Sequence, residues 1–554
     1  MINQIIRMLL FVWKSIFCNI IPAKEITEQE ELFVKENRLF WEKYCNHSKE
    51  KHLDGYVLVL PEEHIFNILK NATVAGVAAI AKSTGLLFLL PSRSSTINLK
   101  VLESFPHATF VYADNMRYIL SVLLDLPNIY RTYKKLNTPD DLLLIEVDGI
   151  RVGDLIYDQT LTAGIATLKV IDIGVLANLI RFYYNSYVIK DIINRFHIKL
   201  AVLGHHVGVR GGTNYRYLVR SHIEVFRNGG TGSLMLQKLY TIEDGYREIF
   251  TPEKKYFQAM LEHKEMFIPM AESYINERFN DCAKNLGSHE ENRAFKKEKR
   301  VFEDRAEFCS QYMLDPSKKN VFVMLHAFSD FPHNYGWIIY RDFYEWFIET
   351  LNIAKDSDYI NWIFKEHPYA AYYETKDLEL NSYFAKMSFP HIRFMNRDAD
   401  FNSKSMLYIS DAVITCIGTA GLEYSSAGIP CILGGTSAYS GFDFTIEPRN
   451  DAEYRHTLKH IDELPRLDQT QIMKAKLMVL YQLMIAYDNP DPFFPYYGFE
   501  EQVKLTKADF LKDVIAHRSN SGLEQQETTF DSLMEFIKDP TYLLYTNKSK
   551  YPFI

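Results

Sequence analysis

Twice along the chain, short apolar runs alternate with helical stretches, and this alternation sets most of what the chain can become. In the first block, from about His52, "GYVLVLP", "GLLFLLPS" and "ATFVYAD" are aliphatic or β-branched runs bounded by turn residues. The helical "EEHIFNILKNATVAGVAAIAKST" lies between the first two. Strands joined by helical crossovers pair in parallel and are covered by those helices, so the pattern predicts a doubly wound α/β sheet. A second such block opens at "NVFVMLHAFSD" and runs through "YEWFIETLNIAK", "INWIFKEHP", "IRFMN", "MLYISDAVITC" and "GIPCILGG". Between them, from Thr251 to Lys319, the chain is charged, poor in β-branched residues and helical in pattern, as in "NERFNDCAKNLGSHEENRAFKKEKRVFEDRAEF". That composition predicts a solvated connector.

The 554 residues therefore divide into five expected parts. These are an N-terminal helical segment (1–50), a Rossmann-like domain (51–250), the connector (251–318), a second Rossmann-like domain (319–500) and a helical tail (501–554). Two such sheets in series are expected to face a cleft, with ligands beyond the carboxyl ends of the strands. A net charge of −8 argues against a nucleic-acid partner. The cysteines, at 18, 45, 282, 309, 416 and 431, are scattered and form no C-x-x-C. They predict a reducing cytoplasm, without disulfides or structural zinc. In "MINQIIRMLLFVWKSIFCNIIP", one helical face collects Ile2, Ile5, Ile6, Leu9, Val12, Trp13, Ile16 and Ile20; Asn3, Arg7, Lys14 and Ser15 fall on the other. Such a helix suits the plane of a membrane interface better than a span. No other stretch reads as long and apolar enough to cross a bilayer.

Three strand ends of the second block carry polar groups. "VFVMLHAFSD" ends in His326, Ser329 and Asp330, and "WIFKEHP" ends in Lys365, Glu366, His367 and Pro368. "AVITCIGTAGLEYSSAGIPCI" reads as a strand, a glycine turn at Gly418–Gly421, a short helix stopped by Gly428, and a strand. Ends on one edge of a parallel sheet converge. His367 and Lys365 offer donors to a phosphate, and the amides of Thr419–Gly421 offer more at a helix N-terminus. Glu423, an acceptor-only group when ionised, suits the hydroxyls of a ribose. Phosphate donors beside a ribose acceptor describe a nucleotide site, with Ser425 on the same helix.

"WIFKEHPYAAYYE" followed by "SDAVITCIGTAGLEYSSAGIPCI" resembles the donor half of two-domain, GT-B-type glycosyltransferases, above all the Kdo transferases of bacterial capsule and lipopolysaccharide synthesis. The resemblance covers the second block only. It implies that His367 and Pro368 meet the donor phosphate, and that Gly418, Gly421 and Glu423 meet the nucleotide sugar. It implies a nucleotide-sugar donor, CMP-linked and Kdo-like, and a growing surface polysaccharide or lipid-linked glycan as acceptor. It further implies an enzyme that needs no metal or other cofactor; the cysteines and the amphipathic segment make the expected location the cytoplasm, at the inner membrane. "EYSS" is also similar to the Asp-Tyr-Ser-Ser of teichoic-acid polyol-phosphate transferases, with Glu423 in place of the Asp. That rival, and a non-catalytic nucleotide- or glycan-binding protein, stay open.

The catalytic group is expected from the first domain. In "IEVDGIRVGDLIYD", Asp148-Gly149 between apolar runs predicts a hairpin turn, leaving Asp154 and Asp158 as candidate base or nucleophile. His205 and His206, at the end of "IKLAVLGHH", are rival bases. Arg210, Arg216 and Arg220 are candidates to grip an anionic acceptor. Asp398-Ala399-Asp400 reads as a solvated loop rather than a metal site.

Overall fold

The computed structural model describes residues 25–45, 53–62, 64–92, 98–229, 233–280, 294–497 and 504–553. The amphipathic N-terminal segment, Cys18 and Cys282 lie outside the described residues. The chain forms two compact units.

The first unit takes the described residues of Met1–Tyr157, Val170–Gly245 and Asn489–Tyr545. Its strands are β1 (Tyr56–Val59), β2 (Gly85–Leu90), β3 (Ala108–Tyr112), the small hairpin β4 (Glu146–Val147) and β5 (Ile150–Arg151), then β6 (Ile198–Leu203), β7 (Glu224–Asn228) and β8 (Leu236–Leu239). The main sheet runs β3-β2-β1-β6-β7-β8. It is parallel except for β7–β8. Every side chain of β2 is buried, as a strand covered on both faces requires. The Asp-Gly turn forms as predicted, with φ of 54° at Asp148 and 70° at Gly149, the backbone of a primed hairpin turn.

Helix Ile65–Lys82 corrects one expectation. It is long and apolar enough to cross a membrane, but 72% of it is buried inside the unit, where it is the crossover from β1 to β2. Its Phe66, Leu69, Val74 and Val77 fill the core. At Gly76 a Cβ would lie 2.3 Å from the Trp41 ring, so glycine lets the indole rest on the helix backbone. The C-terminal segment, expected as a helical tail, belongs to the same core. Helices Lys507–Ser521 and Leu523–Lys538 contribute Phe510, Leu511, Val514, Phe530, Leu533 and Phe536 beside Phe66 and Phe88. The edge of β8 is covered by this segment, through Lys238 N–H to the Leu543 carbonyl and Tyr545 N–H to the Leu236 carbonyl.

The second unit takes Asp158–Lys169, Tyr246–Asp488 and Thr546–Ile554, of which Ile554 is not described. Its strands are β9 (Lys319–Met324), β10 (Ile360–Lys365), β11 (Ile392–Met395), β12 (Ala412–Thr415) and β13 (Cys431–Leu433). All are parallel, in the order β11-β10-β9-β12-β13. Trp346, Phe347, Trp362, Phe364 and Ile414 form the centre of its core. The predicted connector is part of this unit, beginning with helices Lys254–Glu262 and Lys264–Asn280; 281–293 lie outside the described residues. Residues 158–169, expected in the first domain, belong here too. Ala166 is buried in this core, and its N–H donates to Asp377 Oδ1 at 2.9 Å.

Both sheets thus carry the Rossmann order 3-2-1-4-5, with the antiparallel β8 added to the first. The order reverses between β1 and β6 in one unit, and between β9 and β12 in the other. Connections leave such a point in opposite directions, opening a crevice at the carboxyl ends of the two strands.

Candidate functional site

In the second unit the reversal point is lined by the segments just past β9, β10 and β12. His326, two residues past β9, stacks on Phe343 with ring centroids 4.4 Å apart. Its Nε2 accepts from the Ile417 N–H at 3.2 Å and lies 3.2 Å from the Thr415 hydroxyl. His367, two residues past β10, accepts the Tyr369 N–H at its Nδ1 at 3.1 Å and caps the turn Pro368–Ala371. The two imidazoles lie nearly parallel, 6.0 Å apart. Burial, with His367 beside it, lowers His326 to about 3; burial, with Lys365 beside it, lowers His367 to about 4. Both rings are therefore neutral at pH 7. The nitrogen that accepts carries no proton, so the proton sits on Nδ1 of His326 and on Nε2 of His367. Each of these N–H groups lacks an acceptor among the described residues.

Lys365, the last residue of β10, is buried to 6% exposure. Its Nζ has no hydrogen-bond or ion-pair partner among the described residues. Burial, then the neighbouring Lys299, lowers it to about 8 against a weaker opposing pull from Glu366. At pH 7 it is mainly an ammonium. A buried cation without a carboxylate partner carries a desolvation penalty that an anion relieves. Two neutral N–H donors stand on the same sheet edge.

The glycine turn is more occupied than the sequence reading expected. The Ile417 N–H goes to His326, the Gly418 N–H to Thr415 Oγ1 at 3.1 Å, and the Gly421 N–H to the Gly418 carbonyl at 3.2 Å. The N–H groups of Leu422 and Glu423 both go to the Thr419 carbonyl. Only Thr419 and Ala420 keep N–H groups with no acceptor among the described residues. The glycines answer to packing. A Cβ at Gly418 would lie 2.8 Å from Thr415 Oγ1, and one at Gly421 would lie 2.3 Å from the Tyr439 hydroxyl. The next helix, Ala420–Ser425, is a turn and a half long.

Glu423 on that helix is buried, and its Oε1 accepts from Arg278 Nε at 2.6 Å, with Arg278 Nη2 a second contact. Arg278 comes from helix Lys264–Asn280, within the predicted connector. The carboxylate expected for a ribose thus holds a guanidinium here. Ser425 is fully buried, and its hydroxyl is without a partner in the core. Asp158 and Asp330 also lie in this unit. Both oxygens of Asp158 serve His333, taking its N–H at 3.1 Å and its Nδ1 at 2.6 Å. Burial, with Asp158 nearby, raises Asp330 to about 6. Asp398 and Asp400 are exposed on their loop, as expected.

In the first unit, Asp154 and Arg216 are brought to each other. Nη1 donates to Oδ1 at 2.7 Å and Nη2 to Oδ2 at 2.5 Å, with both side chains buried. This pair ties the segment after β5 to helix Thr213–Arg220. Neither group is presented to solvent as a base or an acceptor grip. Arg220 is exposed, on a pocket of about 280 Å³ that it shares with Asp148, Lys190 and Tyr217. His206 is buried, with Nε2 2.7 Å from the Gly245 carbonyl; burial, then Arg227, holds it well below the usual imidazole range.

His205 is placed differently. Its side chain is 70% exposed, and its Nδ1 lies 3.2 Å from Oε2 of the buried Glu62. Glu62 lies past β1 and His205 past β6, so the pair stands at this sheet's reversal point. The sequence reading missed Glu62. Its one signal was a carboxylate directly after the run "YVLVLP".

No family model and no curated protein matches the chain. Among solved structures it is similar to KpsC of Thermosulfurimonas dismutans as the β-Kdo 2,4 transferase, at 12% identity and TM-score 0.29 over 52% of this chain and 80% of that one. It is also similar to the KpsC β-Kdo 2,7 transferase of the same organism, at 14% identity and TM-score 0.28 over 54% of this chain and 80% of that one. A third is Anabaena HepE in complex with UDP and glucose, at 10% identity and TM-score 0.24 over 86% of this chain and all of that one.

Proposed function

We propose that the chain is a glycosyltransferase whose nucleotide-sugar donor binds at the reversal point of the second sheet. One observation carries this reading: a buried Lys365 with no hydrogen-bond or ion-pair partner among the described residues, on the same sheet edge as the free N–H groups of His326 and His367. These donors suit the phosphate of a nucleotide, and the two free amides of Thr419 and Ala420 add to them. As the bond to the sugar breaks, negative charge grows on the leaving phosphate. A preorganised set of donors stabilises that charge without solvent reorganisation. In this proposal the donors, rather than a metal ion, carry the phosphate charge.

The sequence resemblance supports a CMP-linked, Kdo-like sugar and a growing surface polysaccharide or lipid-linked glycan as acceptor. The scattered cysteines support a place in the cytoplasm, and the amphipathic segment supports attachment to the inner membrane. The test is a thermal-shift screen with CMP, UDP and GDP. A nucleotide at a hundred times its dissociation constant adds about 2.7 kcal/mol to stability. One of the three is expected to raise the melting temperature clearly. If none does, the nucleotide-sugar reading fails.

A further inference from the structure

Helix Met116–Lys134, between β3 and the β4–β5 hairpin, has two apolar faces. One is buried and carries Tyr118, Ile119, Val122 and Ile129. On that side the helix is tied to its neighbour Ile173–Arg195, by Arg117 to Asp191 at 2.5 Å and by the Tyr187 hydroxyl to Asp125 at 2.8 Å. The other face is open to solvent. Met116, Leu120, Leu123, Leu124, Pro127 and Tyr130 fall within about a third of the circumference and run about 21 Å along the axis. All six are exposed. Leu124, at 84%, is the most exposed large apolar side chain among the described residues. A helix that only covered a sheet would be polar here. The same arc ends in cations. Arg131 and Lys134 lie on it and Lys135 at its border, all exposed and none with a carboxylate partner among the described residues. Arg131 Nη1 donates to Asn128 Oδ1 at 3.0 Å, and the Lys134 ammonium stands 5.5 Å from the centre of the Tyr130 ring. The one acidic residue of the helix, Asp125, is on the opposite side, held by Tyr187 and by Asn128 Nδ2. Cations in a last turn answer to the helix dipole, but the dipole gives no reason for leucines in solvent.

We propose that this stripe is a membrane-contacting surface. The helix lies in the plane of an anionic bilayer, with its leucines among the acyl chains and Arg131, Lys134 and Lys135 at the lipid phosphates. The proposal deepens the membrane attachment proposed above and adds a contact separate from the amphipathic segment. Tyr130, between the leucines and the cations, suits the level of the headgroups. The long cationic side chains can leave their stems on apolar surface and still reach phosphate. Charge and area select lipid over the other occupants. Two copies paired along the stripe would set cations against cations when parallel, and against the positive end of the other copy's helix when antiparallel. A stable protein interface covers about 800 Å² on each partner with roughly 20–30 residues, and one ridge of six side chains falls well short of that. A bilayer requires neither a matching surface nor a fixed register. Stable attachment of a peripheral protein takes two signals, so this helix and the segment Ile2–Ile21 act together.

The test follows cosedimentation of the full chain with vesicles of phosphatidylethanolamine and phosphatidylglycerol, and with vesicles of phosphatidylcholine alone, at low and high salt. Wild type is compared with Leu120→Gln/Leu123→Gln/Leu124→Gln, with Arg131→Ser/Lys134→Ser/Lys135→Ser, and with the chain lacking residues 1–22. Every replaced side chain is exposed, so both triple variants are expected to melt as the wild type does. Leu124→Gln alone carries the same test if the triple leucine variant unfolds. The leucine variant is expected to bind both kinds of vesicle more weakly, by about tenfold or more. The cation variant should lose about a hundredfold on the anionic vesicles at low salt, and little on phosphatidylcholine. A folded leucine variant that binds as wild type does overturns the proposal. So does a wild-type dimer that this variant turns into monomers, which would assign the stripe to a second copy. If, in either case, deleting residues 1–22 releases the protein from vesicles, the membrane reading stands without this surface. A wild type that binds neither kind of vesicle overturns both.

Discussion

Replacing Lys365 by Met is expected to make the unliganded protein more stable and the nucleotide complex weaker. Lys365 is buried to 6% exposure, and its pKa falls from 10.5 to about 8. That fall corresponds to a penalty on the order of 3 kcal/mol for holding the ammonium in the folded state. The folded pKa is the depressed one, so the unfolded chain binds more protons between about 8 and 10.5. The penalty is full below about 8 and is relieved as pH rises through that window. Met fills a similar volume without the charge, so Lys365→Met should raise unfolding stability at pH 7 by up to that amount. It should also flatten the rise in wild-type stability above pH 8. A charge-assisted hydrogen bond to phosphate is worth roughly 1.5–3 kcal/mol, so nucleotide affinity should fall about ten- to a hundredfold. The assay is denaturant unfolding from pH 7 to 10 together with nucleotide titration by calorimetry. A variant less stable than wild type at pH 7, with nucleotide affinity intact, would show that Lys365 serves the fold and refute the reasoning.

Asp154→Asn should cost about 3–5 kcal/mol of stability, because it leaves the buried Arg216 without its counter-charge. Nucleotide affinity should survive in that variant, and a stable but inactive protein would instead return Asp154 to the catalytic groups. Deleting residues 1–22 should move the protein from the membrane fraction to the soluble one while preserving nucleotide binding. If the shortened chain still sediments with membranes, another surface holds it there.

Local pattern was enough for the elements of both sheets. An apolar run of four to six residues between turn signals has one inexpensive conformation, a strand covered on both faces, and β1, β2, β6, β9 and β10 all formed from such runs. The Asp148-Gly149 turn was legible for the same kind of reason, since few dipeptides accept two consecutive positive φ values. His326, Lys365 and His367 could be named because they end strands of a parallel sheet, and that edge is where such sheets bind ligands. The partner that each charged group faces was not legible. Asp154 meets Arg216 across 62 residues, Glu423 meets Arg278 across 145, and Asp158 meets His333 across 175. Local periodicity records which side of an element is buried, whereas an ion pair depends on register between elements remote in sequence. The C-terminal helices show the same limit: their apolar faces were visible, but the core they complete, with Phe66 and Phe88, was not. Glu62 was hidden most fully, because a carboxylate after a strand reads as solvated until the fold sets β1 beside β6 and brings His205 to it, 143 residues on.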